Sequence, residues 1–372
     1  MQFSDFKYLT NNPDRSVSGE HSRLSRLFRA GEIIRLQPSV YLDTDQWLTL
    51  NVHDRVRATI GALALTSRPN VMVGQSTFNL YSIPVIKPGI TELPQIFVGS
   101  SSLGNSRTRK AISCYGNEAN AHQRIAAQKV NSNYRARLPQ LPVIRAQLRQ
   151  KQAQKTELSF DSWPHLIQTE TQSEALLRCL HDLPFETRVT VIEHLLRSGN
   201  TLLSEVYATC GEPFDRRRDG TVRWHKELLF MIAQKHTIPY RRRVFEEAIN
   251  FASFASESVG ESLSHGLIHK LGFAAPQLQV QLRLSNGRLA RPDYMWPDVG
   301  VVGEFDGAHK YTRSKEVSGK QADQVVFEEK KREDGIRALG NRVCRWTWAD
   351  LMHPERFESI ISNAGVPRRK GQ

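Results

Sequence analysis

Arg291-Pro292-Asp293-Tyr294-Met295-Trp296-Pro297-Asp298-Val299-Gly300-Val301-Val302-Gly303-Glu304-Phe305-Asp306-Gly307 is the stretch whose reading decides the fold. Before it, Gln279 to Leu284 alternates polar and apolar residues, Ser285-Asn286-Gly287-Arg288 is turn chemistry, and Leu289 to Trp296 alternates again, which predicts a β-hairpin. Pro297 to Gly300 breaks the pattern. Val299, Val301, Val302 and Phe305 then form an apolar run, interrupted only by glycines and Glu304, that predicts a buried central strand. Strand side chains alternate faces, so Glu304 and Asp306 project from one side, and Asp293 on the neighbouring strand can join them. Carboxylates crowded in this way raise one another's pKa and call for a cation. An oxygen-only site suits Mg²⁺ or Mn²⁺. Without metal, truncating Asp293 or Glu304 is expected to relieve repulsion and leave stability equal or higher.

Pro-Asp, a spacer, then Glu-x-Asp-Gly on a buried strand, followed by the charged helix Glu328-Glu329-Lys330-Lys331-Arg332-Glu333-Asp334 and a strand over Arg342 to Thr347, resembles the restriction-endonuclease-like PD-(D/E)XK fold. Its nearest branch is the group similar to very-short-patch-repair endonucleases, and the resemblance covers about the last third of the chain. It implies a metal-dependent nuclease with Asp293, Glu304 and Asp306 as metal ligands. It also implies a further acid on the first helix, here Glu261 in the amphipathic segment after Glu257-Ser258-Val259-Gly260. The family pattern places a lysine two residues after the second acid, where this chain has Asp306. Positive charge is therefore expected from Lys310 or Lys330, and His309 is the one histidine expected near the site.

The length of 372 residues predicts two or three domains, and 39% hydrophobic with 24% charged residues is ordinary for a globular protein. The longest apolar run, near Ile60 to Leu65, is too short to span a bilayer, and Met1 to Asn12 has no signal-peptide pattern, so the expected location is cytoplasmic. Four scattered cysteines indicate neither a disulfide framework nor a zinc site. The net charge of +13 is concentrated: residues 51–160 carry 15 basic and 4 acidic side chains, which points to a polyanionic partner. Arg107, Arg109 and Lys110, in a Ser- and Gly-rich loop, are candidate phosphate contacts, and Arg124 to Lys155 reads as a basic insertion.

At the other end, Asn12-Pro13-Asp14-Arg15 breaks a short first helix. Ser22 to Ala30 repeats Leu24, Leu27 and Phe28 at helical spacing with Arg23, Arg26 and Arg29 away from that stripe, and Ile33 to Leu36 with Val40 to Leu42 completes a two-stranded wing. This outline resembles the N-terminal winged-helix domain of the abortive-infection type IV antitoxin family, which implies DNA binding through Arg23, Arg26 and Arg29 and a toxin or operon partner.

The expected architecture is therefore α/β and multidomain. It has a winged helix-turn-helix over residues 1–50, a mainly helical antitoxin-like middle domain over 51–250 with a basic insertion near 100–160, and a restriction-endonuclease-like α/β domain over 251–372. That last domain is expected to begin between Arg243 and Glu257 and to fold alone. The leading expectation is DNA binding coupled to Mg²⁺-dependent phosphodiester hydrolysis. The alternative is an antitoxin-like repressor whose nuclease fold is catalytically silent.

Overall fold

The computed structural model describes residues 2–10, 19–30, 32–37, 39–66, 70–89, 95–99, 145–148, 156–161, 163–198, 222–307 and 319–369. Among them the chain is mixed α/β, with helices and four small sheets, none of them a barrel. No described helix is long and apolar enough to cross a membrane. The chain forms two compact units: one of residues 1–83 and 91–179, the other of residues 84–90 and 180–372.

In the first unit, the short helix expected before Asn12 is replaced by a 3-10 turn, Phe3–Asp5, and a strand, β1 (Tyr8–Thr10). Tertiary pairing overrides the local preference: Tyr8 lies opposite Leu42 in an antiparallel ladder and donates its hydroxyl to the Ala58 carbonyl at 2.7 Å. Helix α1 (Glu20–Ala30) is followed by β2 (Ile33–Gln37) and β3 (Val40–Asp43), which pair antiparallel and complete a three-stranded sheet with β1. The α1 face holding Leu24 is buried while Arg23 and Arg26 are exposed; the side chain of Arg29 lies outside the described residues.

Helices α2 (Thr44–Thr49), α3 (Val52–Ala64), α4 (Gln75–Leu80) and α5 (Gln172–Cys179) accompany a five-stranded mixed sheet. Its strands are β4 (Val71–Met72), β5 (Gln95–Gly99), β6 (Arg145–Leu148), β7 (Thr156–Phe160) and β8 (Trp163–Thr169). The stretch read as mainly helical thus also supplies a sheet, and Arg145–Leu148, inside the expected insertion, pairs parallel with β5. One core holds Phe3, Leu36, Trp47, Ile60, Met72, Ile96 and Ile167, so the first fifty residues share their interior with the helices and sheet of residues 52–169. Arg107, Arg109 and Lys110 lie outside the described residues.

The second unit opens with three helices, α6 (Phe185–Arg197), α7 (Val222–Gln234) and α8 (Pro239–Phe251), before α9 (Val259–Lys270). Helix α9 packs closely on α6: a Cβ added at Gly266 would stand 2.6 Å from Glu186 Cα, so only glycine permits this approach. Polar contacts line the seam: His265 Nδ1 meets the buried Glu193 Oε1, and the half-exposed Lys270 reaches the buried Glu186 Oε1 with its Nζ, each at 2.8 Å. These helices, with residues 84–90, thus lie in the same compact unit as the domain expected from residue 251.

A four-stranded sheet comes next, in the order β14-β13-β12-β9, made of β9 (Gln277–Leu278), β12 (Tyr294–Trp296), β13 (Val301–Asp306) and β14 (Arg342–Thr347). The predicted hairpin is present as β10 (Leu282–Arg283) paired with β11 (Leu289–Ala290). Strand β12 runs antiparallel to β13, and β14 runs parallel to it. Parallel pairing needs a crossover, which carries α10 (Gly319–Ala338). Strand β13 is buried on both faces, as its apolar run requires. Val301 and Phe305 join Leu263, Trp346 and Phe357 on one side, and Val302 joins Leu284, Ala290 and Ile336 on the other. At Gly303 a Cβ would stand 2.6 Å from the Trp346 ring. Helices α11 (Trp348–Leu351) and α12 (Pro354–Asn363) close the unit.

Candidate functional site

The alternation of β13 that puts Val302 toward Ile336 puts Glu304 and Asp306 on that same face. Asp293, at the start of β12, faces the same space, and all three carboxylates line one cleft of about 280 Å³. Register explains the rest of the lining. Glu304 is paired across the parallel ladder with Arg345, two positions beyond Val343, which packs beside Val302. On α10, Glu329, Arg332, Glu333 and Ile336 fall at helical spacing i, i+3, i+4, i+7 and so share a face. Ile336 anchors that face in the core and Arg332 reaches the acid one turn earlier.

Glu304 is 6% exposed and held between two guanidiniums. Arg332 Nη2 lies 2.8 Å from Oε1, and Arg345 Nη2 lies 2.9 Å from Oε2. Arg345 Nη2 also reaches Glu333 Oε2 at 3.1 Å and Glu329 Oε1 at 3.3 Å. The Arg332 contact is close in distance but not aligned as a hydrogen bond, and Glu304 Oε1 is buried with no hydrogen-bond partner. Burial works against the charge on Arg332, yet Glu304 and Glu329 outweigh it and hold that guanidinium above its ordinary pKa.

Asp293 is set differently. Its Oδ2 accepts the Phe305 backbone N–H at 2.9 Å, and its Oδ1 accepts the Gln279 side-chain amide at 3.2 Å. Burial, then the charges of Glu261 and Glu304, push its carboxyl up to about 6 despite those two bonds. The same Gln279 amide donates to Glu261 Oε2 at 3.0 Å, so it bridges two acids. Gln279 does this from the left-handed region, at φ 53°, which costs a non-glycine residue about 1 kcal/mol. Its backbone N–H is fixed by the Asp293 carbonyl at 3.1 Å.

Glu261 is buried at the start of α9, where it and Ser258 form a reciprocal cap: Glu261 N–H donates to Ser258 Oγ, and Ser258 Oγ–H donates to Glu261 Oε1. It is not among the residues lining the cleft, and Gln279 bridges it to Asp293. Lys330 is exposed on α10, and Lys310 and His309 lie outside the described residues. The cations that meet the acids are Arg332 and Arg345, with Arg291 at the rim paired to Glu257. Sequence reading passed over both arginines and Gln279. The arginines lie beyond the crossover, where only the strand register and helix phase reveal their partner.

One expectation needs correcting: Glu304 is not a bare repelled charge, because the crossover supplies its counter-ions, so truncating it removes an attraction. Among the described residues no three His, Cys, Asp or Glu side chains stand close enough to ligate one ion. The donor chemistry nonetheless fits a hard divalent cation: three oxygen ligands on one cleft, one with its carboxyl raised to about 6, another with a buried oxygen that accepts no hydrogen bond.

No family model, curated protein or solved structure matches this chain. Its function is therefore read from the chemistry of the cleft.

Proposed function

We propose that the cleft is a phosphodiesterase site acting on DNA, and that the chain as a whole binds DNA through separate basic surfaces. The observation that carries the reading is the convergence of Asp293, Glu304 and Asp306 on one wall, with Arg332 and Arg345 within the same cleft. Acids alone would repel a phosphate, and arginines alone would only bind it. Together they provide ligands for a Mg²⁺ or Mn²⁺ ion and a planar, paired grip on the anion. The bound cation would supply Lewis acidity and a lowered pKa for a coordinated water. Asp293, Glu304 and Asp306 would hold it.

The chain's own residues have the following parts. Arg332 and Arg345 neutralise the phosphate and the charge that grows on it as the bond to the leaving oxygen breaks. Asp293, whose carboxyl is pushed up to about 6 by burial and the neighbouring acids, would give up its proton on taking up the cation. Gln279 fixes which way that carboxyl faces. The β12–β13–β14 arrangement with α9 behind and α10 in front supports the resemblance to the restriction-endonuclease-like fold. The exposed Arg23 and Arg26 of α1 beside the β2–β3 ribbon support a winged-helix contact with DNA phosphates. A toxin or operon partner belongs to that same resemblance.

One observation favours a second reading, a DNA-binding regulator with a silent cleft. Glu304 lies between two arginines, and Asp306 stands where the family places lysine. The test is metal-dependent cleavage of a mixed DNA and RNA panel by the full chain, with Asp293→Asn and Glu304→Gln as controls. Cleavage by the native chain that both substitutions abolish supports the phosphodiesterase. DNA binding with no cleavage under Mg²⁺ or Mn²⁺ leaves the regulator.

A further inference from the structure

We propose that Arg332 and Arg345 are exchangeable counter-ions of Glu304: an entering phosphate draws them off, and the freed carboxylate then completes the divalent-cation site, so that nucleic acid and metal bind cooperatively. This rests on the phosphodiesterase reading and adds to it an order of assembly.

Four features of the cleft support the exchange. The arginine side chains are 27% and 31% exposed while that of Glu304 is 8% exposed, so an anion approaching from solvent meets the guanidiniums before the acid they cover. Guanidinium forks bind carboxylate and phosphate by the same geometry, which makes one replaceable by the other. Arg345 is shared among Glu304, Glu329 and Glu333, so it can leave Glu304 without losing every acidic neighbour. Arg332 is shared in the same way, between Glu304 Oε1 at 2.8 Å and Glu329 Oε1 at 2.9 Å, so it too keeps an acidic neighbour on leaving.

Once the arginines turn to a phosphate, Glu304 becomes a buried carboxylate beside Asp293 with nothing to balance it. Such a group takes up a proton or a cation. Among the described residues, with the arginines on Glu304, no three acids stand together as ligands of one ion. The free chain would therefore hold metal weakly and acquire it with its substrate. By linkage, metal must then raise the affinity for nucleic acid by the same factor.

The experiment is Mn²⁺ binding to the full chain, followed by electron paramagnetic resonance, with and without a short mixed-sequence DNA duplex carrying phosphorothioate linkages. Signal from Mn²⁺ on the duplex alone is subtracted. The expected result is an affinity roughly five-fold or more higher with the duplex. In Arg332→Gln/Arg345→Gln the free chain should already bind Mn²⁺ about as tightly as the native chain with duplex, and the duplex should add nothing. Equal Mn²⁺ affinity with and without duplex in the native chain would overturn the exchange while leaving the phosphodiesterase reading intact. So would a stimulation that persists in the double variant, since that belongs to a metal bridging protein and phosphate. No Mn²⁺ binding in any condition overturns both. Should the double variant not fold, Arg332→Gln and Arg345→Gln are read singly: each should tighten Mn²⁺ binding to the free chain and shrink the stimulation by duplex, and a stimulation unchanged in both overturns the exchange.

Discussion

Glu304 and Arg345 are register partners across the parallel β13–β14 ladder, and Oε2 of the first lies 2.9 Å from Nη2 of the second. Their pairing is therefore written into the backbone, because the ladder that aligns Val302 with Val343 also aligns this acid with this base. It follows that Glu304→Gln should destabilise the metal-free chain, by about 1–2 kcal/mol. That is less than the 3–5 kcal/mol of a fully buried broken pair, since both arginines reach solvent. Denaturant unfolding at neutral pH checks this, and a stability equal to or above native would mean the arginines do not hold the acid in solution.

Asp293 should show the opposite behaviour. Its folded carboxyl titrates at about 6, above the unfolded range near 4, so the folded chain binds this proton more tightly. Its contribution to stability is then largest below pH 4 and is lost as pH rises through 6. Above that it costs up to roughly 3 kcal/mol, at about 1.4 kcal/mol per unit. Asp293→Asn should flatten the fall in stability between pH 5 and 7.5. Comparing the two pH values within each protein cancels any constant loss from the hydrogen bonds to Phe305 and Gln279. An Asn variant with an unchanged fall would place the proton elsewhere.

At Gln279 two effects can be separated. Gln279→Ala and Gln279→Gly both remove the amide shared by Glu261 and Asp293, and both should move the Asp293 titration further upward. Only alanine keeps the cost of the left-handed backbone, so Gly should be the more stable of the two by about 1 kcal/mol. Carboxyl carbon shifts followed against pH give the first quantity and denaturant melts the second. Variants with native titration would remove the bridge from the site.

Truncation tests the extent of the second unit. A fragment beginning at Phe245 leaves the α6-facing side of α9 open, stranding His265 and Lys270 without Glu193 and Glu186. A longer fragment, Leu180 to the end with residues 84–90 tethered ahead of it, keeps that seam and the rest of the unit. The longer fragment should unfold in one cooperative transition, and the shorter should not. Cooperative melting of the shorter one would show that the seam is dispensable.

Local chemistry made part of this legible in the sequence. The alternation and Asn-Gly turn marked the β10–β11 hairpin, the apolar run marked β13, and Arg342 to Thr347 was a strand with the bounds it has in the structure. Glu304 and Asp306 could be placed on one face because strand periodicity is strict. Arg332 and Arg345 could not, because nothing local says that residue 304 is paired with residue 345 instead of a neighbour two positions away. The start of the second unit was hidden for a similar reason: Glu186 and Glu193 look like surface acids on an amphipathic helix until α9 covers them. Tyr8–Thr10 became a strand through partners some thirty residues on.

The parallel pairing of β14 with β13 also sets an order of events. Strand β12 meets β13 through the short turn at Pro297–Val299, whereas β14 must wait for the whole segment from Gly307 to Asn341 to come round. Closing the longer loop costs more entropy and belongs to the slower contacts of folding. Asp293, Glu304 and Asp306 are therefore expected to meet before Arg332 and Arg345 arrive to neutralise them. For that interval the nascent sheet carries an uncompensated negative patch, and dissolved divalent cations or acid should speed the final step by standing in for the two arginines.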